Sequence, residues 1–280
     1  MMNTDLPITL EGWLHNCGLP RLEARMLLQQ VLDINHTYII AHGQQPLSIS
    51  EQASLNQLAQ RRLAGEPLAY LLGWREFYSR RFQVSTAVLI PRPETEHLVE
   101  ATLAHLPEQG TLWDLGTGSG VIAVTVACER PDAQVWAADI SSEALAIACS
   151  NATALQANVR FGQGSWYQAQ PQPALNSVDV IVSNPPYIAA HDQHLQQGDL
   201  RFEPQHALTD NHNGLSALAT IIAGAAAFLR PAGWLLLEHG FDQGEAVRDM
   251  LAQHGFSQIH TLPDLAGLDR VTLGQSNIHP

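Results

Sequence analysis

No lysine occurs anywhere in the 280 residues; all fourteen basic side chains are arginine. That absence excludes a phosphate-binding P-loop, a pyridoxal phosphate Schiff base and a lysine nucleophile. No Gly-x-Ser-x-Gly elbow is present, so the usual sign of a serine hydrolase is missing as well. Cysteine is scarce. Cys17, Cys128 and Cys149 fall in apolar, helix-like contexts with no Cys-x-x-Cys spacing, and read as small core residues. Thirteen histidines offer one close pair, His191-x-x-His194, with no HExxH helix or second ligand cluster, so no metal is expected.

Long apolar runs are lacking too. The longest, near Ile221 to Leu229, falls short of the roughly 20 residues that a bilayer span needs. The opening Met-Met-Asn-Thr-Asp-Leu-Pro has neither a basic start nor an apolar stretch, so a cytoplasmic location and no membrane partner are expected. Charged residues are only 15% of the chain, and 27 acids against 14 arginines give a net charge of −13. Duplex binding draws most of its affinity from neutralised phosphates, so a nucleic-acid partner is not expected and a basic protein surface fits better.

What is present reads as a soluble globular protein, 45% hydrophobic, of one large or two modest domains. Val178 to Ser183 is an apolar, β-branched run that predicts a buried strand, and it ends in Asn184-Pro185-Pro186-Tyr187. Asn184 and Pro185 each precede a proline and are held extended. The resulting stiff corner can offer the Asn184 side-chain oxygen and the Pro185 carbonyl to a ligand, beside the Tyr187 ring. Two fixed acceptors suit a planar NH₂ group. A strand simply ending in a turn is the alternative.

A second motif changes the balance. Thr111-Leu112-Trp113 leads into Asp114-Leu115-Gly116-Thr117-Gly118-Ser119-Gly120 and then an apolar, helix-like run from Val121 to Ala127. Strand, glycine loop and helix together aim backbone N–H groups at a ligand. The next strand, Gln134 to Ala138, ends at Asp139, placed to bind ribose hydroxyls. Val121 stands where a dinucleotide fingerprint has its third glycine. That disfavours a nicotinamide-dependent dehydrogenase and favours an adenosine ligand without a pyrophosphate.

Periodicity divides the chain near residue 73. Residues 1–73 predict helices: Leu27, Leu28, Val31 and Leu32 form one apolar face, and Leu55, Leu58 and Leu63 another, with Ser48 and Ser50 as candidate caps. Residues 74–92 predict a β-hairpin linker, with Trp74, Phe77, Tyr78 and Phe82 alternating with polar positions. In 93–280, strands at 111–115, 134–138, 159–162, 178–183, 233–239, 256–261 and 270–274 alternate with helices. The expected fold is therefore α/β, a doubly wound, seven-stranded, mostly parallel sheet with Rossmann-like topology. Six acids and four arginines leave 1–73 at −2; the remainder holds −11.

These motifs, with Arg61 to Tyr70, Leu89 to Glu96 (Leu-Ile-Pro-Arg-Pro-Glu-Thr-Glu), Gly198 to Pro204 and Leu236 to Gly240, resemble class I S-adenosylmethionine-dependent methyltransferases. More narrowly, the chain resembles the bacterial enzymes that methylate the glutamine side-chain amide (N5) of peptide chain release factors. The resemblance implies that S-adenosylmethionine contacts Gly116, Thr117, Gly118, Ser119, Gly120, Asp139, Trp166 and Asn184. It implies that Asn184, Pro185, Pro186 and Tyr187 bind the substrate, with Asn184, Pro185 and Tyr187 acting in catalysis. The implied partners are class I release factors carrying a Gly-Gly-Gln motif. The helical segment, which the catalytic fold does not need in order to close, reads as a docking platform for a protein substrate, with a lid that completes the core as the alternative. The Asn-Pro-Pro-Tyr tip is shared with enzymes that methylate nucleic-acid amino groups, so an adenine N6 methyltransferase is the alternative. A non-catalytic S-adenosylmethionine-binding adaptor would not need the intact tip.

Overall fold

The computed structural model describes residues 8–277; positions 1–7 of the expected helical segment and the side chain of His194 lie outside the described residues. The chain divides into two compact units between Trp74 and Arg75.

The first unit is helical: α1 (Leu10–Asn16), α2 (Arg21–Leu32), α3 (His36–Ala41), α4 (Ile49–Leu63) and α5 (Leu68–Leu72). Leu27, Leu28 and Leu55 are fully buried, and Val31, Leu32 and Leu58 pack against that core. Leu63 does not join it: it is the last residue of α4 and is exposed, and Ala59, one turn earlier, fills the corresponding place. Ser48 is the cap. Its Oγ accepts from the Glu51 N–H while Glu51 Oε2 accepts from the Ser48 N–H, a reciprocal capping box that satisfies two otherwise orphaned donors. Ser50 lies inside α4.

The hairpin of β1 (Trp74–Phe77) and β2 (Arg80–Gln83) begins at the division, and its Phe77 and Phe82 are buried in the second unit's core. There follow α6 (Thr95–His105), β3 (Thr111–Leu115), α7 (Val121–Glu129), β4 (Gln134–Asp139), α8 (Ser142–Ala154), β5 (Val159–Gln163) and β6 (Val178–Ser183). The chain continues with α9 (Gln205–Leu208), α10 (Ser216–Ala225), β7 (Leu229–Glu238), α11 (Gly244–Gln253), β8 (Phe256–Pro263) and β9 (Asp269–Ser276). The strands form one seven-stranded sheet in the order β5-β4-β3-β6-β7-β9-β8, parallel except for β9, which runs antiparallel to both its neighbours. This is the doubly wound sheet that the alternation predicts.

Side chains alternate between the two faces with the period of two that a strand imposes. Val180, Val182 and Leu236 face a core shared with Leu98 of α6 and Val124 of α7; Ile181, Leu235 and Leu237 face one shared with Leu218 of α10 and Val247 of α11. Burial on both faces is why β3 and β6 are mostly apolar, with Asp114 and Asp179 as the charged exceptions. β7 starts earlier than its apolar pattern suggests. Its register against β6 skips from Leu229 to Trp234 across Arg230–Gly233, a bulge in which Arg230 pairs with Asp179 at 3.0 Å. Cys149 is exposed on α8 and is not the core residue that its apolar context suggests. No helix among the described residues is long and apolar enough to cross a membrane.

Candidate active site

Strand order reverses between β3 and β6: one half of the sheet winds outward through β4 and β5, the other through β7. Loops leaving the two central strands diverge, opening a crevice beyond their carboxyl ends, where open α/β sheets bind ligands. A cavity of about 410 Å³ lies there, walled by Gly116 to Ser119, Asp139, Ile140, Trp166, Asn184 and Pro186.

Its floor consists of strand tips tied crosswise. Ser183 Oγ donates to the Leu115 carbonyl at 2.6 Å, joining β6 to β3. The Gly116 and Thr117 N–H groups both donate to the Ala138 carbonyl, at 2.8 and 2.9 Å. Asp139 then gathers three loops. Its Oδ2 accepts from the Gly118 N–H and its Oδ1 from the Ser141 N–H, each at 2.9 Å, and its carbonyl accepts from the Gly164 N–H at 3.0 Å. Both carboxylate oxygens retain acceptor capacity, since each has two lone pairs.

Glycine is required at particular points of this loop. Gly116 and Gly118 have φ of 74° and 55°, in the left-handed region. At Gly116 an added Cβ would stand 3.2 Å from the Trp166 ring, tighter than ordinary contact, so a side chain there would press on the indole. Gly120 is not a cavity wall. It starts α7 at φ 83°, and an added Cβ would come within 3.1 Å of Ala148, so its place is helix packing. Asp114 sits wholly buried at the base of the loop, accepting from the Thr117 hydroxyl at 2.7 Å. Burial pushes its carboxyl up to about 7 against that bond.

Asn184 closes the opposite wall. Its Nδ2 donates to Thr95 Oγ1 at 3.1 Å, which sets the amide's orientation and turns Oδ1 away from that contact. Pro185 is buried at the strand tip, whereas Pro186 lines the cavity. Tyr187 is not among the walls. Its ring packs with the α10 and α11 face of the core, its hydroxyl faces Glu238 Oε1 at 3.5 Å, and its carbonyl accepts from Gln243 Nε2 at 3.0 Å. Burial, then the nearby Glu238 charge, pushes the phenol well above its usual range.

The Leu89 to Glu96 segment meets the Arg201 to Pro204 segment at Glu203. That carboxylate is buried; Oε2 accepts from the Ile90 N–H at 3.0 Å and Oε1 from Arg92, which lines the cavity. Burial raises the Glu203 carboxyl, and the Arg92 guanidinium draws it back. Glu96 lies in the first turn of α6, and its Oε1 accepts from the Tyr78 N–H of the hairpin at 2.8 Å. His239 is a packed strand-end residue, bonded through Nε2 to Thr272 Oγ1 at 2.7 Å, and burial lowers its imidazole. Sequence reasoning missed Ile140 and Thr95 as walls. Ile140, 64% exposed directly after Asp139, carried the clearer signal: a large apolar side chain past a strand's end with no core to enter.

A reversing parallel sheet, a glycine turn, an acid on the adjacent strand tip and an Asn-Pro-Pro-Tyr corner define a Rossmann-like methyltransferase. Residues 14–73 match the PrmC N-terminal domain family and residues 93–202 the methyltransferase small domain family. The release factor glutamine methyltransferase of Neisseria gonorrhoeae is 57% identical over 272 residues, 97% of this chain and 99% of that one. Its namesake from Bordetella pertussis is 51% identical over 267 residues, 95% and 98% of the two chains. A methyltransferase structure from Pyrococcus furiosus shares the fold with a TM-score of 0.55 at 16% identity, covering 78% of this chain and 98% of that one. The chain belongs to the release factor glutamine methyltransferase family.

Proposed function

We propose that this protein transfers a methyl group from S-adenosylmethionine to the side-chain amide nitrogen of glutamine in the Gly-Gly-Gln motif of class I peptide chain release factors. The observation that carries the reading is the Asn184–Thr95 bond: it commits Nδ2 and turns Oδ1 into a fixed acceptor on the cavity wall opposite the glycine loop. The relatives' names favour this substrate over an adenine amino group.

Gly116, Thr117, Gly118 and Ser119 hold the methionyl and adenosyl portions, Asp139 accepts from the ribose hydroxyls, and Trp166 and Ile140 cover the adenine. Gly120 supports them by seating α7. Bound there, S-adenosylmethionine supplies an electrophilic methyl on a sulfonium sulfur. An amide nitrogen is a poor nucleophile because its lone pair is delocalised into the carbonyl. Asn184 Oδ1 and the Pro185 carbonyl accept its two hydrogens and hold the nitrogen in line, so orientation supplies much of the rate. Positive charge grows on nitrogen as it is methylated, and both acceptors then bind more strongly, a selective stabilisation of the transition state. Pro186 walls the amide plane and Tyr187 buttresses the corner from the core. The extra proton leaves to water. Docking of the factor falls to the helical unit.

The test is methyl transfer from radiolabelled S-adenosylmethionine to purified class I release factor, beside a factor with alanine for the Gly-Gly-Gln glutamine and a duplex DNA. Label on the intact factor alone is the expected result; label on the DNA, or none on the factor, would discard the substrate.

A further inference from the structure

Glu238 is a buried acid that the methyl transfer above does not use. It ends β7, beside β6 in the register Ser183 to Leu237, so it lies next to the strand tip that carries Asn184. The side chain is 1% exposed, and Oε2 has no hydrogen-bond partner among the described residues. A buried orphan of this kind calls for an explanation. The groups acting on it come from every neighbouring element: the Thr95 hydroxyl from α6, the Tyr187 hydroxyl after β6 and Arg270 from β9 favour its charge, and Glu94 opposes it.

Thr95 links this acid to the cavity. It is 2% exposed and already accepts the Asn184 amide hydrogen. A hydroxyl has one hydrogen and two lone pairs, so with a lone pair given to Asn184 its hydrogen remains for Glu238. The Thr95 hydroxyl favours the charged form of Glu238, and an ionised carboxylate only accepts, so the free hydrogen would turn toward that acid and give the sequence one direction, from Asn184 through Thr95 to Glu238. With the hydrogen so placed, a flipped amide would set two acceptors face to face.

On the reading of Asn184 given above, we propose that Thr95 and Glu238 are positioning residues for methyl transfer, which lock the Asn184 amide with Oδ1 toward the substrate nitrogen and polarise it. Linked hydrogen bonds strengthen one another in a low-dielectric interior. The negative end of the chain therefore makes Oδ1 a better acceptor, and the interaction gains most once charge develops on the substrate.

The experiment measures turnover of release-factor methylation across pH 5.5–9 for the wild type, T95V, T95S, E238Q and N184A. T95V is expected to lose on the order of 10-fold in kcat, with KM for the factor within about twofold, because one polar contact to the amide is removed while shape is kept. T95S, which retains the hydroxyl, restores most of that loss. Wild-type kcat rises with pH through about 7 as Glu238 ionises, and E238Q loses that rise. Wild-type turnover in T95V, or an unchanged pH profile in E238Q, overturns the proposal. A near-wild-type N184A would instead overturn the reading of Asn184 itself, so the two failures are told apart.

Discussion

The Gly118 backbone N–H donates to Asp139 Oδ2 at 2.9 Å, so the acid at the tip of β4 holds the glycine loop that leaves β3. One carboxylate thus shapes the loop and also walls the cavity. D139A is expected to weaken S-adenosylmethionine binding by on the order of 10²-fold, since hydrogen bonds to a charged acceptor are worth about 1.5–3 kcal/mol each. D139N, which keeps one oxygen, loses on the order of 10-fold. Isothermal titration calorimetry reads both. An unchanged dissociation constant in D139A would remove Asp139 from the cofactor contact.

Asn184 separates chemistry from binding. On the proposed mechanism N184A deletes an acceptor that gains strength as the substrate nitrogen becomes positive, so kcat is expected to fall by on the order of 10²–10³. The dissociation constant for S-adenosylmethionine changes by less than about threefold, because the Gly116 to Ser119 loop and Asp139 stay in place. Single-turnover kinetics with saturating factor checks the first expectation and calorimetry the second.

The sheet was legible because β3 and β6 are buried on both faces and are mostly apolar, and because Gly116 and Asp139 punctuate strand ends in a fixed order. Asn184 was legible for the same reason: two prolines after a strand leave few conformations. Tyr187 was harder to place. Sequence gives its neighbours along the chain, whereas its direction is set by Glu238 and Gln243, 51 and 56 residues away. Gly120 illustrates a different blind spot, since a loop glycine and a helix-packing glycine look alike until Ala148 stands beside one of them. Cys149 and Leu63 were misplaced because an apolar context does not say where a helix leaves its core.

Glu203 holds two chain segments that are far apart in sequence. In E203A the Ile90 N–H and the Arg92 guanidinium both lose their acceptor. Arg92 retains some solvent, with its side chain 28% exposed, so the cost falls below that of a fully buried pair. Destabilisation of about 2 kcal/mol is expected, or roughly 5 °C in Tm for a unit of this size. E203Q keeps an acceptor for Ile90 and should lose less than half as much. Differential scanning calorimetry decides it, and an unaltered Tm in E203A would mean that the two segments are held by packing alone.

The buried acids also set how stability depends on pH. Burial raises Asp114 and Glu238 to about 7, far above the ordinary carboxylate range of the unfolded chain. Between about pH 4 and 7 the folded state therefore keeps protons that the unfolded state has released, so stability falls as pH rises. Each acid contributes on the order of 3 kcal/mol across that interval. Glu51, Asp132 and Asp264 act in the opposite sense, because hydrogen bonds and arginine partners lower them, but their contribution is complete once pH exceeds the ordinary carboxylate value. His239, lowered by burial, adds stability with rising pH up to the normal imidazole range. Comparing D114N with the wild type cancels all of these, because the substitution removes one titration and leaves the rest. Urea denaturation from pH 5 to 8 should show the wild type losing ground to D114N steadily through about 7 and then no further. A difference that stays constant over that range would mean that Asp114 remains ionised in the folded protein, the Thr117 hydroxyl and the Ala123 backbone outweighing its burial.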